Sequence, residues 1–228
     1  MVCSDGAGRR AIEAAINLVF GENVDTSGHS MSGKTDPQIC HEILSAIGYG
    51  KEEIDARLRE LFEVYVGLLE GEIKSASEFR MHAGVAELLD ALVGEPWAYL
   101  GLLTGNIEPG ARLKLAPFGL NRFFKVGAFG CDCHNRLDLP PVAHRRASAF
   151  FEQDFTPDEM VIIGDAVNDI LCARGYGVPC IAVATGKTPR KVLSDLMPAY
   201  LFDSLSPTDQ VVDAIKGKPD CRRAERTS

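Results

Sequence analysis

The sequence predicts an α/β fold in two parts, a parallel sheet joined by helices and a separate group of helices. Two observations carry this prediction. Residues 6–80 place apolar side chains at helical spacing and contain no apolar run typical of a buried strand. Residues 81–217 instead alternate short runs rich in Val, Ile and Leu with helical patterns, as expected of parallel strands connected by helices.

Composition indicates a soluble globular protein. Apolar residues make up 46% of the 228 residues, enough for a sizeable core. The net charge of −8 argues against non-specific binding to nucleic acid or anionic membranes, and no apolar run is long enough to span a membrane. The seven cysteines are scattered and odd in number, as expected of reduced thiols, and the N-terminus lacks a secretory pattern. We therefore expect a cytoplasmic protein.

Three helices are predicted in the first part. Residues 9–20 form an amphipathic pattern that ends at a glycine. The next helix begins at Asp36, a favourable N-cap residue, with Pro37 at the first helical position. A longer helix is predicted over residues 51–69.

The second part contains five predicted strands. They are Tyr99–Leu103, Phe123–Phe129, Val161–Ile163, Pro179–Val183 and Tyr200–Phe202. Together with the intervening helices they assign residues 81–217 to the sheet-containing part. Residues 218–228 are charged, lack an apolar face and are predicted to form a disordered tail.

Two carboxylates follow the strand at Val161–Ile163. Gly164 permits a sharp turn at the strand end, Asp165 stands at the carboxyl edge of the sheet, and Asp169 lies in the first turn of the next helix. Hard oxygen donors that converge in this way favour Mg²⁺ over a soft metal. The alternative is that Asp165 caps a helix and Asp169 sits in its exposed first turn.

A second polar motif, Thr104-Gly105-Asn106, follows the strand at Tyr99–Leu103. A hydroxyl and backbone N–H groups at a strand end, followed by a helix, can hold a phosphate oxygen. The two motifs together resemble motifs two and four of the haloacid dehalogenase (HAD) superfamily, especially its phosphoglycolate-phosphatase-like members. The resemblance extends over residues 6–215 and includes Ala128-Phe-Gly130 and Arg136.

The resemblance implies a Rossmann-like sheet core (residues 81–217) and a helical cap (residues 6–80). It also implies hydrolysis of a small phosphorylated metabolite by a monomer or homodimer. Asp165 and Asp169 would hold Mg²⁺, and Thr104 and Arg136 would stabilise the transferred phosphoryl group. Gly105 and Asn106, with Lys34 and Thr35 from the cap, would contact the substrate.

The N-terminus departs from the resemblance. Members of the family open with an apolar strand that carries Asp-x-Asp-Gly-Thr, where the first Asp is the nucleophile and the second is the general acid. Residues 1–6 read Met-Val-Cys-Ser-Asp-Gly, so the first core strand is expected to be absent or truncated. We therefore expect a mis-assigned start or a truncated gene, and little or no activity. The alternative is a non-catalytic protein that binds a phosphate ligand or a partner chain.

Two further patterns in the sequence resemble binding motifs. Residues 28–35 match the P-loop pattern Gly-x4-Gly-Lys-Thr, but the segment before them is polar and does not predict the strand that such a loop requires. A P-loop nucleotidase is therefore a second alternative. Cys131-Asp-Cys133-His134 resembles half of a zinc site, yet no second ligand pair follows it.

Overall fold

The computed structural model describes residues 1–217, so the predicted tail at 218–228 lies outside the described residues. The helices are α1 Ala7–Phe20, α2 Asp36–Ala46, α3 Lys51–Ser75, α4 Val85–Val93, α5 Glu108–Leu115, α6 Leu139–Phe151, α7 Val167–Tyr176, α8 Arg190–Asp195 and α9 Thr208–Lys216. The strands are β1 Val2–Cys3, β2 Arg80–Met81, β3 Gly101–Leu103, β4 Val126–Ala128, β5 Ile162–Gly164, β6 Cys180–Val183 and β7 Tyr200–Phe202. None of the helices within residues 1–217 is both long and apolar enough to cross a membrane.

Helices α1, α2 and α3 share one apolar core. Four α3 side chains recur at helical spacing and are fully buried against it: Ile54, Leu61, Tyr65 and Leu69. Burying a large apolar side chain contributes about 1.5–3 kcal/mol, so this single stripe fixes α3 against its neighbours. Residues 6–80 thus form the helices that the sequence predicts, although α3 runs six residues beyond the predicted end at Leu69.

The start of α2 differs from the prediction. Thr35, not Asp36, is the N-cap residue, and its hydroxyl accepts a hydrogen bond from the Gln38 backbone N–H at 3.2 Å. Asp36 and Pro37 therefore occupy the first two helical positions. Because the cap is supplied by Thr35, the Asp36 carboxylate is available for contacts with the sheet core.

All five predicted strands form, and their neighbours pair in parallel. β3 pairs with β4, and β5, β6 and β7 form a second group in that order. The α/β prediction is therefore confirmed.

The short β1 instead pairs antiparallel with β2, with Val2 opposite Met81. Within residues 1–217, β3 pairs only with β4 and β5 pairs only with β6, so each of these two strands has one edge without a paired strand.

Candidate functional site

A cavity of about 300 Å³ lies where the carboxyl ends of β3 and β5 come together. Its polar lining includes both sequence motifs and two basic residues: Thr104, Asn106, Lys114, Arg136, Asp165 and Asp169. Apolar side chains, among them Leu102, Ile163 and Val183, form another part of the wall. An apolar cavity with a few convergent polar groups is the usual form of a small-molecule site.

Asp169 is held rigidly at the first turn of α7. One carboxylate oxygen accepts hydrogen bonds from the backbone N–H groups of Asp165 and Ala166, both at 3.0 Å. Asp169 is 4% exposed, and its other carboxylate oxygen forms an ion pair with Arg136. A Cβ atom at Gly164 would lie 2.2 Å from the Asp169 carboxylate oxygen, so only glycine at the strand end permits this position.

Arg136 projects into the cavity from the loop that precedes α6. Its side chain is 12% exposed, and one terminal nitrogen pairs with Asp169. Its Nε atom is buried and has no hydrogen-bond partner among the described residues. A buried, unpaired donor costs about 1–3 kcal/mol, so the guanidinium retains a donor suited to an anionic ligand.

Asp165 is the less engaged of the two carboxylates. It lines the cavity, and its side chain makes no hydrogen bond or ion pair in the part of the chain that the structure describes. A Cβ at Gly186 would lie 2.7 Å from the Asp165 carboxylate, so this glycine leaves the space that the carboxylate occupies. Asp165 therefore offers oxygen donors to a ligand or cation.

The loop after β3 is fixed through Asn106. The Asn106 amide nitrogen donates to one Asp36 oxygen at 3.0 Å, and its carbonyl oxygen accepts a hydrogen bond from Lys114 Nζ at 3.0 Å. The other Asp36 oxygen accepts the Ile107 backbone N–H at 2.8 Å. A carboxylate only accepts and an ammonium only donates, so the Asn106 amide has one permitted orientation.

Asp36 and Lys114 shift each other's ionisation. Burial raises the pKa of Asp36, while the charge of Lys114 and the hydrogen bonds from Ile107 and Asn106 oppose that rise. Burial lowers the pKa of Lys114, and the charge of Asp36 opposes that fall. Asp36 is 1% exposed, so α2 contributes a buried carboxylate next to the Thr104-Gly105-Asn106 motif.

Three of the sequence-predicted substrate residues lie at the junction of cap and core. The Asp36 backbone N–H donates to the Gly105 carbonyl at 2.7 Å, and a Cβ at Gly105 would lie 2.1 Å from the Lys34 carbonyl oxygen. Lys34 Nζ pairs with Glu42, and the buried Thr35 hydroxyl donates to the His134 carbonyl. Lys34, Thr35 and Gly105 are outside the lining of the cavity, whereas Ser32 and Gly33 of the same cap segment belong to it. Their role in substrate contact stays a prediction.

The described N-terminal residues place no carboxylate in the cavity lining. Cys3 lies in β1 opposite Arg80, and the Asp5 carboxylate accepts the Glu78 backbone N–H at 3.3 Å. Neither residue lines the cavity, although Met1 and Val2 do. Among the described residues, Asp165 and Asp169 are thus the lining carboxylates.

The structure contradicts the P-loop pattern. No strand precedes residues 28–35 within the described chain, since α1 ends at Phe20 and residues 21–35 form loops and turns. The lysine of the pattern, Lys34, is paired with Glu42. Backbone N–H groups that enclose phosphate require the strand and loop that this segment lacks.

The segment Cys131–His134 borders a second cavity of about 380 Å³, across from the cap residues His41 and Asp55. The His41 and His134 rings meet edge to face at 4.8 Å. Within residues 1–217, no three His, Cys, Asp or Glu side chains are grouped so as to hold a metal. The structure therefore does not assemble the zinc site that the Cys-x-Cys-His pattern suggested.

Comparison with known proteins gives three kinds of match. A family model described as HAD-hydrolase-like matches residues 139–208. The phosphoglycolate phosphatase of Salmonella typhi is 29% identical over 149 residues, which cover 65% of this chain and 56% of that protein. The Escherichia coli K12 phosphoglycolate phosphatase is 28% identical over 153 residues with the same coverage. The chain is therefore similar to HAD-like hydrolases over residues 139–208. It spans 56% of the length of these curated relatives.

Solved structures agree on the HAD-like fold. A hydrolase from Pseudomonas syringae aligns with a TM-score of 0.70 at 17% identity, over 93% of each chain. The structure of a predicted phosphoglycolate phosphatase from Haemophilus somnus 129PT aligns with a TM-score of 0.65 at 18% identity, again over 93% of each chain. At such identities the likeness shows the fold alone.

The donor set of the HAD-like site suits Mg²⁺. Magnesium takes one or two carboxylates and completes its coordination with water and substrate phosphate oxygens, so a preformed cage of three acidic ligands is not required. Among the described residues, neither Asp165 carboxylate oxygen has a hydrogen bond, and backbone N–H groups orient Asp169 beside it. One Asp169 oxygen is engaged by Arg136, so Asp165 would be the less encumbered carboxylate if a cation were bound.

The sequence patterns did not predict that Lys114 lines the cavity or that the Asp36 carboxylate binds Asn106 and the Ile107 backbone N–H. Lys114 lies on α5, where a lone lysine in a helical pattern is most simply interpreted as an exposed residue. One signal was available, because Thr104-Gly-Asn106 at a strand end turns the following helix toward the site. Asp36 was interpreted as an N-cap, and the hydroxyl of Thr35 took that place.

Proposed function

We propose that the cavity at the carboxyl ends of β3 and β5 binds a small phosphomonoester together with Mg²⁺. The observation that carries the proposal is the convergence of the Thr104 hydroxyl, the Lys114 and Arg136 cations and the Asp165 carboxylate on one cavity. Cations and hydroxyl donors suit phosphate oxygens, and the carboxylate suits the ion that accompanies them.

Each group has a defined part in holding the ligand. Thr104 Oγ1 accepts the Asn106 backbone N–H at 3.2 Å, so its own hydrogen remains available to a phosphate oxygen. Arg136 offers its unpartnered Nε. Asp165, with Asp169 beside it, would hold Mg²⁺. When bound, the ion would supply positive charge that stabilises the phosphoryl oxygens.

We also propose that hydrolysis by this chain is strongly impaired. Covalent phosphoryl transfer needs a nucleophile apart from the metal-holding carboxylates, and the described lining provides no carboxylate other than Asp165 and Asp169. Loss of a covalent nucleophile commonly lowers turnover by many orders of magnitude. The site would then bind its ligand far better than it turns the ligand over.

The substrate class is proposed from size and from the relatives. A cavity of about 300 Å³ is at the small end of the range for ligand sites, which suits a metabolite of a few carbon atoms. The curated relatives are named phosphoglycolate phosphatases, so 2-phosphoglycolate is the first ligand to test. We further propose a cytoplasmic monomer or homodimer.

Calorimetric titration with 2-phosphoglycolate, with and without Mg²⁺, tests the binding proposal. We expect Mg²⁺-dependent binding that Asp165→Asn weakens about 10-fold or more, because the ion loses its principal carboxylate. Absence of binding to the folded protein in both conditions would overturn the proposal.

Hydrolysis of p-nitrophenyl phosphate, measured on the same samples, tests the impairment. Binding without turnover would bear out the proposed impairment and favour the second candidate function, a non-catalytic phosphate-binding protein. The lining retains its cations, but its described residues offer no carboxylate besides Asp165 and Asp169, which would hold the ion. Rapid turnover that Asp165→Asn abolishes would show that the lining carboxylates suffice for catalysis, and the proposed impairment would be wrong.

A further inference from the structure

We propose that Lys114 on α5 is the principal phosphate-binding cation of this site, a role that no sequence motif assigned to it. The proposal rests on the proposed function, and it names the side chain that sets the affinity of the site for its anion. Four features of the structure support it.

The first feature is the pairing of the basic side chains near the cavity. Arg136 is ion-paired with Asp169, and Lys34 is ion-paired with Glu42 and lies outside the lining. Lys114 lines the cavity and has no ion-pair partner within 4 Å among the described residues. A cation that is not neutralised by a close carboxylate attracts an anionic ligand most strongly.

The second feature is the donor count. The Lys114 ammonium carries three N–H donors, and the structure shows one of them engaged, by Asn106 Oδ1 at 3.0 Å. Two donors therefore remain for ligand oxygens. The Asn106 contact also fixes where the ammonium stands, since the amide is itself locked by Asp36.

The third feature is the distribution of negative charge. Asp36 lies near enough to act on Lys114 through its charge but does not form an ion pair with it. The two Asp36 carboxylate oxygens accept hydrogen bonds from the Asn106 side-chain amide and from the Ile107 backbone N–H. Asp36 thus favours the charged form of Lys114 without occupying the donors that the ligand would use.

The fourth feature is a space reserved for the ammonium. A Cβ atom at Gly8, in the first turn of α1, would lie 2.9 Å from Lys114 Nζ. Glycine within a helix costs about 0.5–1 kcal/mol of stability relative to alanine. At this position alanine would instead place a methyl group where it displaces the Lys114 ammonium. The cap thereby contributes both the space and the distant carboxylate.

Binding of inorganic phosphate in the presence of MgCl₂, measured by calorimetry on the full chain, tests the proposal. Lys114→Met replaces the ammonium by an apolar group of similar length, and we expect about 10- to 100-fold weaker binding. Lys125→Met is the matched control, because Lys125 is exposed, does not line the cavity and gives the same change of net charge. We expect that control to bind as the wild type does.

A double-mutant comparison separates a ligand contact from a structural effect. Gly8→Ala should weaken phosphate binding several-fold in the wild type and have no effect in the Lys114→Met background, since the methyl group acts only by moving the ammonium. Thermal unfolding of each variant confirms that the folded protein is being titrated. An equal Gly8→Ala effect in both backgrounds would overturn the inference.

The outcomes also distinguish this inference from the proposed function. If the wild type binds phosphate and Lys114→Met binds it within twofold as tightly, Lys114 is not the anion-binding cation, and the proposed function stands. If the folded wild type binds neither phosphate nor 2-phosphoglycolate, both proposals fail together. If Lys114→Met binds phosphate more weakly and Lys125→Met binds it as tightly as the wild type, the result supports both the inference and the proposed function.

Discussion

Replacement of Asp36 by asparagine tests whether the Asp36 carboxylate holds helix α2 against the Thr104-Gly105-Asn106 loop after β3. Asp36 accepts two hydrogen bonds, from the Asn106 amide and from the Ile107 backbone N–H. An asparagine at this position has one acceptor, so its NH₂ group must face one of those donors. Reorienting Asn106 would relieve the conflict only by removing the acceptor of Lys114.

The cost follows from these contacts. One buried donor without a partner costs about 1–3 kcal/mol, and the attraction to Lys114 is lost as well. Relief of the burial penalty on the Asp36 charge offsets part of this, and we expect a net loss of about 2 kcal/mol. For a chain of this size, that corresponds to a melting temperature about 4–8 °C lower.

Urea unfolding followed by far-ultraviolet circular dichroism measures the change in the free energy of unfolding. Asp203→Asn is the matched control, since the Asp203 side chain is 80% exposed and the same chemical change there should stay within about 0.5 kcal/mol. An Asp36→Asn variant as stable as that control would refute the idea that this buried carboxylate fastens the cap to the core.

Three further predictions concern other contacts. Tyr65→Phe removes a fully buried hydroxyl that has no hydrogen-bond partner within residues 1–217. Unfolding measurements should therefore show no loss of stability and a gain of up to about 1 kcal/mol, and a loss above about 1 kcal/mol would contradict the structure. Burial would raise the pKa of Asp132, but its pairing with Arg146 and a hydrogen bond from the Phe129 backbone N–H outweigh burial and lower that pKa in the folded protein. Asp132 therefore stabilises the fold at pH values above its unfolded pKa of 3.8, and this stabilisation is lost as the pH falls through the lowered pKa of the folded state. Asp132→Asn should therefore cost about 1 kcal/mol at pH 7, and the difference from wild type should vanish in strongly acidic titrations; a constant difference would exclude this ionisation as the cause. Gly105→Ala places a methyl group against the Lys34 carbonyl and should cost about 1–3 kcal/mol in thermal unfolding, whereas Gly67→Ala, with open space around it, should not destabilise; equal results would refute the close approach of cap and loop.

The strands and the main site motifs could be predicted from local sequence. Ile162 and Ile163 lead into Gly164, and the same edge of the fold carries Thr104, because apolar β-branched runs form buried strands and their carboxyl ends gather polar residues. These rules act over a few residues, so they can be applied without knowing the packing. The local pattern also indicated Asp165 and Asp169 as a carboxylate pair.

Tertiary packing decided how those groups are used. Arg136 pairs with Asp169, 33 residues later in the chain, and Asp36 reaches across to Asn106. Among the described residues, Lys114 has no carboxylate within ion-pair distance and donates to Asn106 instead. Each outcome depends on which charges meet across elements distant in sequence, and hydrophobic periodicity carries no information on that pairing. The sequence by itself therefore determined the strands, the helices and the edge at which the site forms, and only the folded chain decided which cation remains available to a ligand.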